Sequence, residues 1–145
     1  MAKLIQRYSH CFVCGDKNEI GLKIDFFYDQ GKARAEFTPS SDFEGYKDVL
    51  HGGIISALLD EVMIKSILAQ GILTVTSRME VKFKKPAKIG EKLILEGKIK
   101  EDKGRLILTE GSAFTPSGSP IAMAKGTYFK VKGQVKELLS RRLEG

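Results

Sequence analysis

Residues 53–70 carry apolar side chains on nearly every side of a helix: Ile54, Ile55, Ala57, Leu58, Leu59, Val62, Met63, Ile67 and Leu68. At about 100° per residue these positions cover most of the circumference, which a helix resting on a surface does not do. Such a helix has to be enclosed, and Gly71 supplies its stop. What encloses it must come from the rest of the chain, and the rest of the chain reads as strands.

Residues 22–28 alternate loosely and 32–38 more clearly, with Ala33, Ala35 and Phe37 against Arg34 and Glu36. Between them, Asp29-Gln30-Gly31 has the composition of a hairpin turn. A polar, turn-rich loop over 39–50 leads into the helix. Beyond the helix, 73–84 alternates, with Val75, Ser77, Met79, Val81 and Phe83 on one face and Thr76, Arg78, Glu80, Lys82 and Lys84 on the other. Residues 92–100, 105–114 and 121–131 give three more strands, divided by turns at 101–104 and 115–120. Residues 1–21 are expected to be irregular. The tail over 134–143 reads as a short basic amphipathic helix with Val135, Leu138, Leu139 and Leu143 on one side. The predicted fold class is α+β, a sheet curled around one long buried helix, in a single domain over 1–145.

Composition narrows the function. The net charge is +6, but the lysines are spread from Lys3 to Lys136 without a dense basic run. No nucleic-acid-binding motif accompanies them, so the charge suits solubility or a small polyanionic ligand better than a nucleic acid. Asp60, Glu61 and Lys65 interrupt the apolar stretch, which is therefore no membrane span. No apolar segment follows Met1, so no signal peptide is expected and the reading is cytoplasmic.

Two features of the helix carry chemistry. It opens on His51-Gly52-Gly53, where unpaired backbone N–H groups point outward and the positive end of the dipole lies. Glycine lets a ligand carbonyl approach those amides, and such a helix start can hold a developing oxyanion. Further along, Asp60 sits between Leu59 and Val62 amid the apolar run, where a carboxylate is costly unless it is paired or used. Its plain alternative is a buried carboxylate capping a neighbouring loop. Glu61 points about 100° away from Asp60 and reads as a helix-surface or interface residue.

The stretch F-E-G-Y-K-D-V-L-H-G-G-I-I-S-A-L-L-D, residues 43–60, resembles the hotdog-fold thioesterases, closest to the phenylacetic-acid-pathway type and to a branch with a Cys-rich N-terminus. In those families a loop ends in His-Gly-Gly and an acidic residue follows nine positions after the histidine, as Asp60 follows His51 here. The run T-S-R-M-E-V-K-F-K-K-P from Thr76 to Pro86 and the pair Gly90-Glu91 resemble the strand and the Gly-Glu that come next. Cys11-Phe12-Val13-Cys14-Gly15, with Asn18, Gly21 and Leu22, is similar to the prelude of one branch. The likeness covers about residues 10–131.

The resemblance implies a curved antiparallel sheet around the helix, and hydrolysis of an acyl-CoA thioester without metal or cofactor. It assigns the Gly52 amide to the thioester carbonyl. Asp60, reaching in from the partner subunit, is nucleophile or general base, and Thr76 helps position the water. His51 and Gly53 shape the substrate-binding turn, with His51 ordering the loop rather than moving protons. Homodimers, often within homotetramers, place the site at a subunit interface. Glycine at 52 and 53 also fits a mere tight turn, and threonine at 76 fits strand propensity alone.

Other candidates stay open. Lys82, Lys84 and Lys85 are placed to meet the phosphates of coenzyme A, or form an ordinary solvated strand face, and Arg141 and Arg142 share that ambiguity. His10, Cys11 and Cys14 suggest zinc, but a structural site takes four ligands and this count gives three, which favours a structural turn. A thioredoxin-like role lacks its strand-helix context. The alternative function is a non-catalytic acyl-CoA-binding module on the same fold, which has no need of Asp60. A hydratase would need an acidic residue paired with a histidine on another helix motif, and a fatty-acid-responsive repressor would need a DNA-binding helix-turn-helix. Neither is found.

Overall fold

The computed structural model describes residues 1–143. Seven strands form one antiparallel sheet, and one long helix, α1 (Gly52–Leu68), lies against it. In chain order the strands are β1 (Lys3–Leu4), β2 (Phe27–Asp29), β3 (Lys32–Phe37), β4 (Thr74–Phe83), β5 (Leu93–Asp102), β6 (Leu106–Phe114) and β7 (Pro120–Lys130). Their order across the sheet is β1-β2-β3-β5-β6-β7-β4, so the strand after the helix becomes the far edge. A short helix α2 (Gly133–Arg141) closes the described chain. This is the α+β hotdog arrangement expected from the sequence. No described helix is long and apolar enough to cross a membrane.

The helix is buried on the side that faces the sheet, while Ile54, Ala57, Asp60, Ile64 and Leu68 remain half-buried, so the enclosure expected all round is only partial. Leu58, Leu59, Val62, Met63 and Ile67 are wholly buried, packed with Leu93, Leu95, Ile107 and Tyr128 from the sheet. Glycines set the distance between the two layers. Gly97 of β5 pairs with Gly111 of β6, and a Cβ at Gly97 would lie 2.4 Å from the Val62 carbonyl oxygen. Backbone therefore rests on backbone at this point, and only glycine permits it.

The structure departs from the alternation pattern in three places. Residues 22–26 do not join the sheet, although Leu22, Ile24 and Phe26 point inward and are buried. Their amides and carbonyls pair with the N-terminal segment instead, Leu22 N to Phe12 O, Ile24 N to Val13 O and Ile5 N to Phe26 O. That segment, expected to be irregular, contributes β1 at the sheet's end. The hairpin turn is where it was expected, with Gln30 and Gly31 both at positive φ as a two-residue turn demands.

The third departure matters for function. The register of β4 against β7 shifts between Thr76 and Arg78, a bulge at Ser77. One extra residue exchanges the two faces of a strand. Before the bulge Thr74 and Thr76 turn toward α1; after it Met79, Val81 and Phe83 do. Thr76 and Met79 thus share a face, and Val75 is exposed, which corrects the uninterrupted alternation expected over 73–84.

Candidate functional site

The start of α1 is built around the His51 ring. His51 is the N-cap residue, and its Nδ1 accepts a hydrogen bond from the Gly53 amide at 2.8 Å. A Cβ at Gly53 would stand 3.0 Å from that ring, so the glycine is what lets the imidazole cap its own helix. The Ile54 and Ile55 amides both donate to the His51 carbonyl. Of the first helical amides, this leaves Gly52's without an acceptor among the described residues. With Nδ1 committed as acceptor, His51 orders the turn.

Gly52 lines an open groove of about 690 Å³, together with Tyr46, Val49, His51, Phe83, Lys84 and Lys85 among others. The loop before the helix forms one wall. It is held by Gly45 N to Val49 O, His51 N to Phe43 O, Leu50 N to Ala87 O and the Glu44 carboxylate accepting from the Asp48 amide. Tyr46 is 87% exposed at its rim. Lys84 and Lys85 border the groove, and Lys85 donates to Ser119 Oγ at 2.6 Å. Lys82 does not border it; it lies over another shallow surface with Glu80, Glu110 and Lys125.

Asp60 stands elsewhere. It lies eight residues along α1 from Gly52, about 12 Å at about 1.5 Å per residue, and does not line the groove. Its Oδ1 accepts from Thr76 Oγ at 3.0 Å and from the Tyr128 hydroxyl at 2.8 Å. Thr76 and Tyr128 face each other in the β4–β7 ladder, so the sheet register itself brings both hydroxyls to one carboxylate oxygen. Tyr128 is fully buried; burial first, then the Asp60 charge, push its phenol well above the usual range. It therefore remains a donor to Asp60 throughout the working pH range. Oδ2 has no hydrogen-bond partner among the described residues, and Thr76, on the edge strand, is exposed.

Tyr128 is the partner of Asp60 that the sequence reading misses. Its only trace is the inward face of β7, where Ala122, Ala124 and Gly126 are small and Tyr128 is abruptly large and polar-tipped. Removing the hydroxyl should matter. In Tyr128→Phe we expect turnover of a thioester substrate to fall about 10- to 100-fold with KM unchanged, since a hydrogen bond to a charged acceptor contributes about 1.5–3 kcal/mol. Steady-state kinetics check this, and an unchanged kcat would mean that the phenol serves packing alone.

Glu61 is not a helix-surface residue. Its side chain is 18% exposed and turned toward the N-terminal segment, 3.9 Å from Cys11 Sγ and 3.8 Å from Lys65 Nζ. Burial, then the neighbouring Cys11, push its carboxyl up to about 7 against the pull of Lys65. The Cys14 thiol and two backbone amides hydrogen-bond Cys11 and hold its thiol well below the ordinary value, while Cys14 is pushed up.

Comparison with known proteins follows the same lines. The chain is 30% identical over 100 residues to an uncharacterised protein of Schizosaccharomyces pombe, covering 66% of this chain and 57% of that one. It is 26% identical over 98 residues to the acyl-coenzyme A thioesterase THEM4 of Xenopus laevis, covering 65% of this chain and 43% of that one. It thus spans about half the length of the curated relatives it matches. Among solved structures, the thioesterase superfamily protein RHA08564 superposes with a TM-score of 0.79 at 25% identity, covering 83% of this chain and 60% of that one. The model of the thioesterase superfamily matches residues 47–122, from the loop before His51 to the start of the last strand, and the chain belongs to that superfamily.

Proposed function

We propose that the chain hydrolyses acyl-coenzyme A thioesters to the free acid and coenzyme A. The observation that carries this is Asp60, a half-buried carboxylate in the middle of α1 with one oxygen fixed by two hydroxyls and the other free. A carboxylate oriented through one oxygen and open at the other is placed to take a proton from water. The Xenopus relative is an acyl-coenzyme A thioesterase, which supplies the substrate class.

In the reaction, Asp60 acts as general base. Thr76 donates its hydroxyl hydrogen to Oδ1 and has lone pairs left to orient a water. Oδ2 takes a proton from that water as its oxygen attacks the thioester carbonyl. The tetrahedral oxyanion is held by the free Gly52 amide at the positive end of α1. The C–S bond then breaks, the departing thiolate of coenzyme A takes the proton that Asp60 had accepted, and the acid is released with Asp60 again a carboxylate.

One chain cannot do this alone. Gly52 and Asp60 are about 12 Å apart on one helix, too far to act on the same carbonyl, so the Gly52 of one subunit works with the Asp60 of another. The strand beside Asp60 supports such a pairing. β4 is a ten-residue edge strand with one side unpaired, carrying exposed Val75 and Phe83. Long apolar edges are where chains join.

Lys84 and Lys85 flank the groove that holds Gly52 and supply charge for the phosphates of coenzyme A. Replacing either with Ala should raise KM about fivefold at low salt, on the order of 1 kcal/mol, with kcat unchanged. The difference should shrink in high salt. Lys82→Ala serves as the control and should change neither constant.

The decisive experiment assays the purified protein against short, long and aryl acyl-CoAs with free thiol as readout. Turnover of at least one class is expected. If CoA esters bind but none is cleaved, the reading fails and the chain is a binding module.

A further inference from the structure

Away from the groove, a second reactive cluster lies where the N-terminal segment crosses α1. Cys11 Sγ, Cys14 Sγ and a Glu61 carboxylate oxygen all lie within 4.8 Å of one another, and neither cysteine is in a disulfide. The turn carrying the cysteines is tight. The Gly15 amide donates to Cys11 O at 2.9 Å and the Cys14 amide points at Cys11 Sγ from 3.4 Å. A Cβ at Gly15 would meet Ser9 O at 2.4 Å and Cys11 N at 2.5 Å, so only glycine closes it. Amides aimed at a sulfur favour the thiolate, which is the form that ligates.

We propose that Cys11, Cys14 and Glu61 bind a zinc ion that pins the N-terminal segment to α1. Tetrahedral zinc, at about 2.3 Å from sulfur and about 2.0 Å from oxygen, places two sulfurs about 3.8 Å apart and a sulfur and an oxygen about 3.5 Å apart. Cys11 Sγ and Glu61 Oε1 are already 3.9 Å apart, so small side-chain rotations complete the geometry.

The surroundings fit an ion as well as the ligands do. Glu61 Oε2, the oxygen left over, is 3.8 Å from Lys65 Nζ, which orients the carboxylate from behind. Lys65 is itself 2% exposed and donates to the Gln6 carbonyl. Two thiolates and one carboxylate carry three negative charges, which a divalent cation and the Lys65 ammonium cancel. A buried site needs that balance. A cavity of about 130 Å³ bounded by Tyr8, Cys11, Glu61, Lys65 and Thr74 adjoins the cluster and has room for a water as the fourth ligand. Thr74, 92% buried, carries a hydroxyl oxygen with no hydrogen-bond partner there, and a zinc-bound water supplies one. The ligand count made from sequence took His10 with the two cysteines. His10 is exposed and outside the cluster, and Glu61, fifty residues on from Cys11, takes its place.

The probe is cobalt(II), which occupies zinc sites and absorbs visibly. Metal-free wild-type protein titrated with cobalt should develop thiolate-to-cobalt charge transfer and tetrahedral d–d bands that saturate at one equivalent per chain, and zinc should bleach both. Cys11→Ser and Cys14→Ser should each cut the charge-transfer intensity per bound cobalt by about half and the double variant should abolish it, and Glu61→Gln should weaken binding at least tenfold. Zinc should also raise the melting midpoint of the wild type by about 5–10 °C, reversed by chelator. Because a serine variant could simply misfold, the same wild-type protein is treated with iodoacetamide with and without zinc, and zinc should protect both thiols. Absence of the charge-transfer band in wild type overturns the proposal. So does a band of undiminished intensity in Cys11→Ser, or a Cys11–Cys14 disulfide that forms in air while stoichiometric zinc is present.

Discussion

Asp60→Asn is expected to lower kcat for an acyl-CoA ester by about 10³-fold while leaving the affinity for that ester within about twofold. Asparagine has the shape of aspartate and keeps a carbonyl oxygen to accept from Thr76 and Tyr128, so the local packing of α1 against β4 and β7 survives. What it loses is the second oxygen's capacity to take a proton from water. A loss confined to kcat marks an interaction made only in the transition state. Thiol release and equilibrium binding, measured on the same preparations with their melting midpoints, separate the outcomes. Should Asp60→Asn retain more than about a third of wild-type turnover, the carboxylate is a structural acceptor for the two hydroxyls and the hydrolytic mechanism is wrong.

The effect should also report the division of the site. In the proposed shared site each Asp60 serves the Gly52 of another subunit, its own lying about 12 Å away, so activity per chain should depend on protein concentration once dimers dissociate. Dilution that lowers the specific activity of wild type and does not alter its helix content fits a shared site.

The sequence disclosed what local pattern can disclose. A helix apolar nearly all round must bury most of its surface, and a carboxylate within that run is unusual, so α1 and Asp60 stand out from residues 51–70 alone. Of the partners of Asp60, Thr76 enters only through the family resemblance and Tyr128 not at all. Thr76 falls on the solvent face if β4 is read as uninterrupted, and the bulge at Ser77 that turns it toward the helix leaves no mark in residue type. Tyr128 meets Asp60 only through the register of β7 on β4, across 68 residues of chain. Lys65 reads as a polar break in an apolar run. Its burial follows from Gln6 and Glu61, two groups that a linear pattern cannot bring together. The His-Gly-Gly turn lies between these cases. A helix start was legible, but the imidazole occupying the Gly53 amide, which leaves Gly52's as the free donor, is a geometric fact.

Gly97→Ala should be the most damaging single methyl that can be added between α1 and the sheet. The new Cβ would sit 2.4 Å from the Val62 carbonyl oxygen, 2.7 Å from its carbon and 3.1 Å from the Met63 amide. These are helix backbone atoms with no rotamer to yield, so α1 must lift from β5 by roughly 1 Å or the strand must bend. Overpacking of this kind costs about 3 kcal/mol, a large share of a stability of about 5–15 kcal/mol. The midpoint should fall by about 10 °C. Gly111→Ala is the matched control. It is Gly97's partner in the ladder, but its Cβ would meet Met63 Cγ at 2.9 Å and Sδ at 3.3 Å, a flexible chain that can move aside. Its cost should be about 1 kcal/mol. Urea unfolding of the three proteins measures both, and equal midpoints for the two variants would show that the helix is not seated on Gly97. The same lift carries functional weight, because Asp60 is two residues before Val62 on the helix being moved. A displacement of about 1 Å at a reacting group costs about 100-fold in rate. Gly97→Ala should therefore lose most of its turnover even at temperatures where it stays folded, though residue 97 touches no substrate.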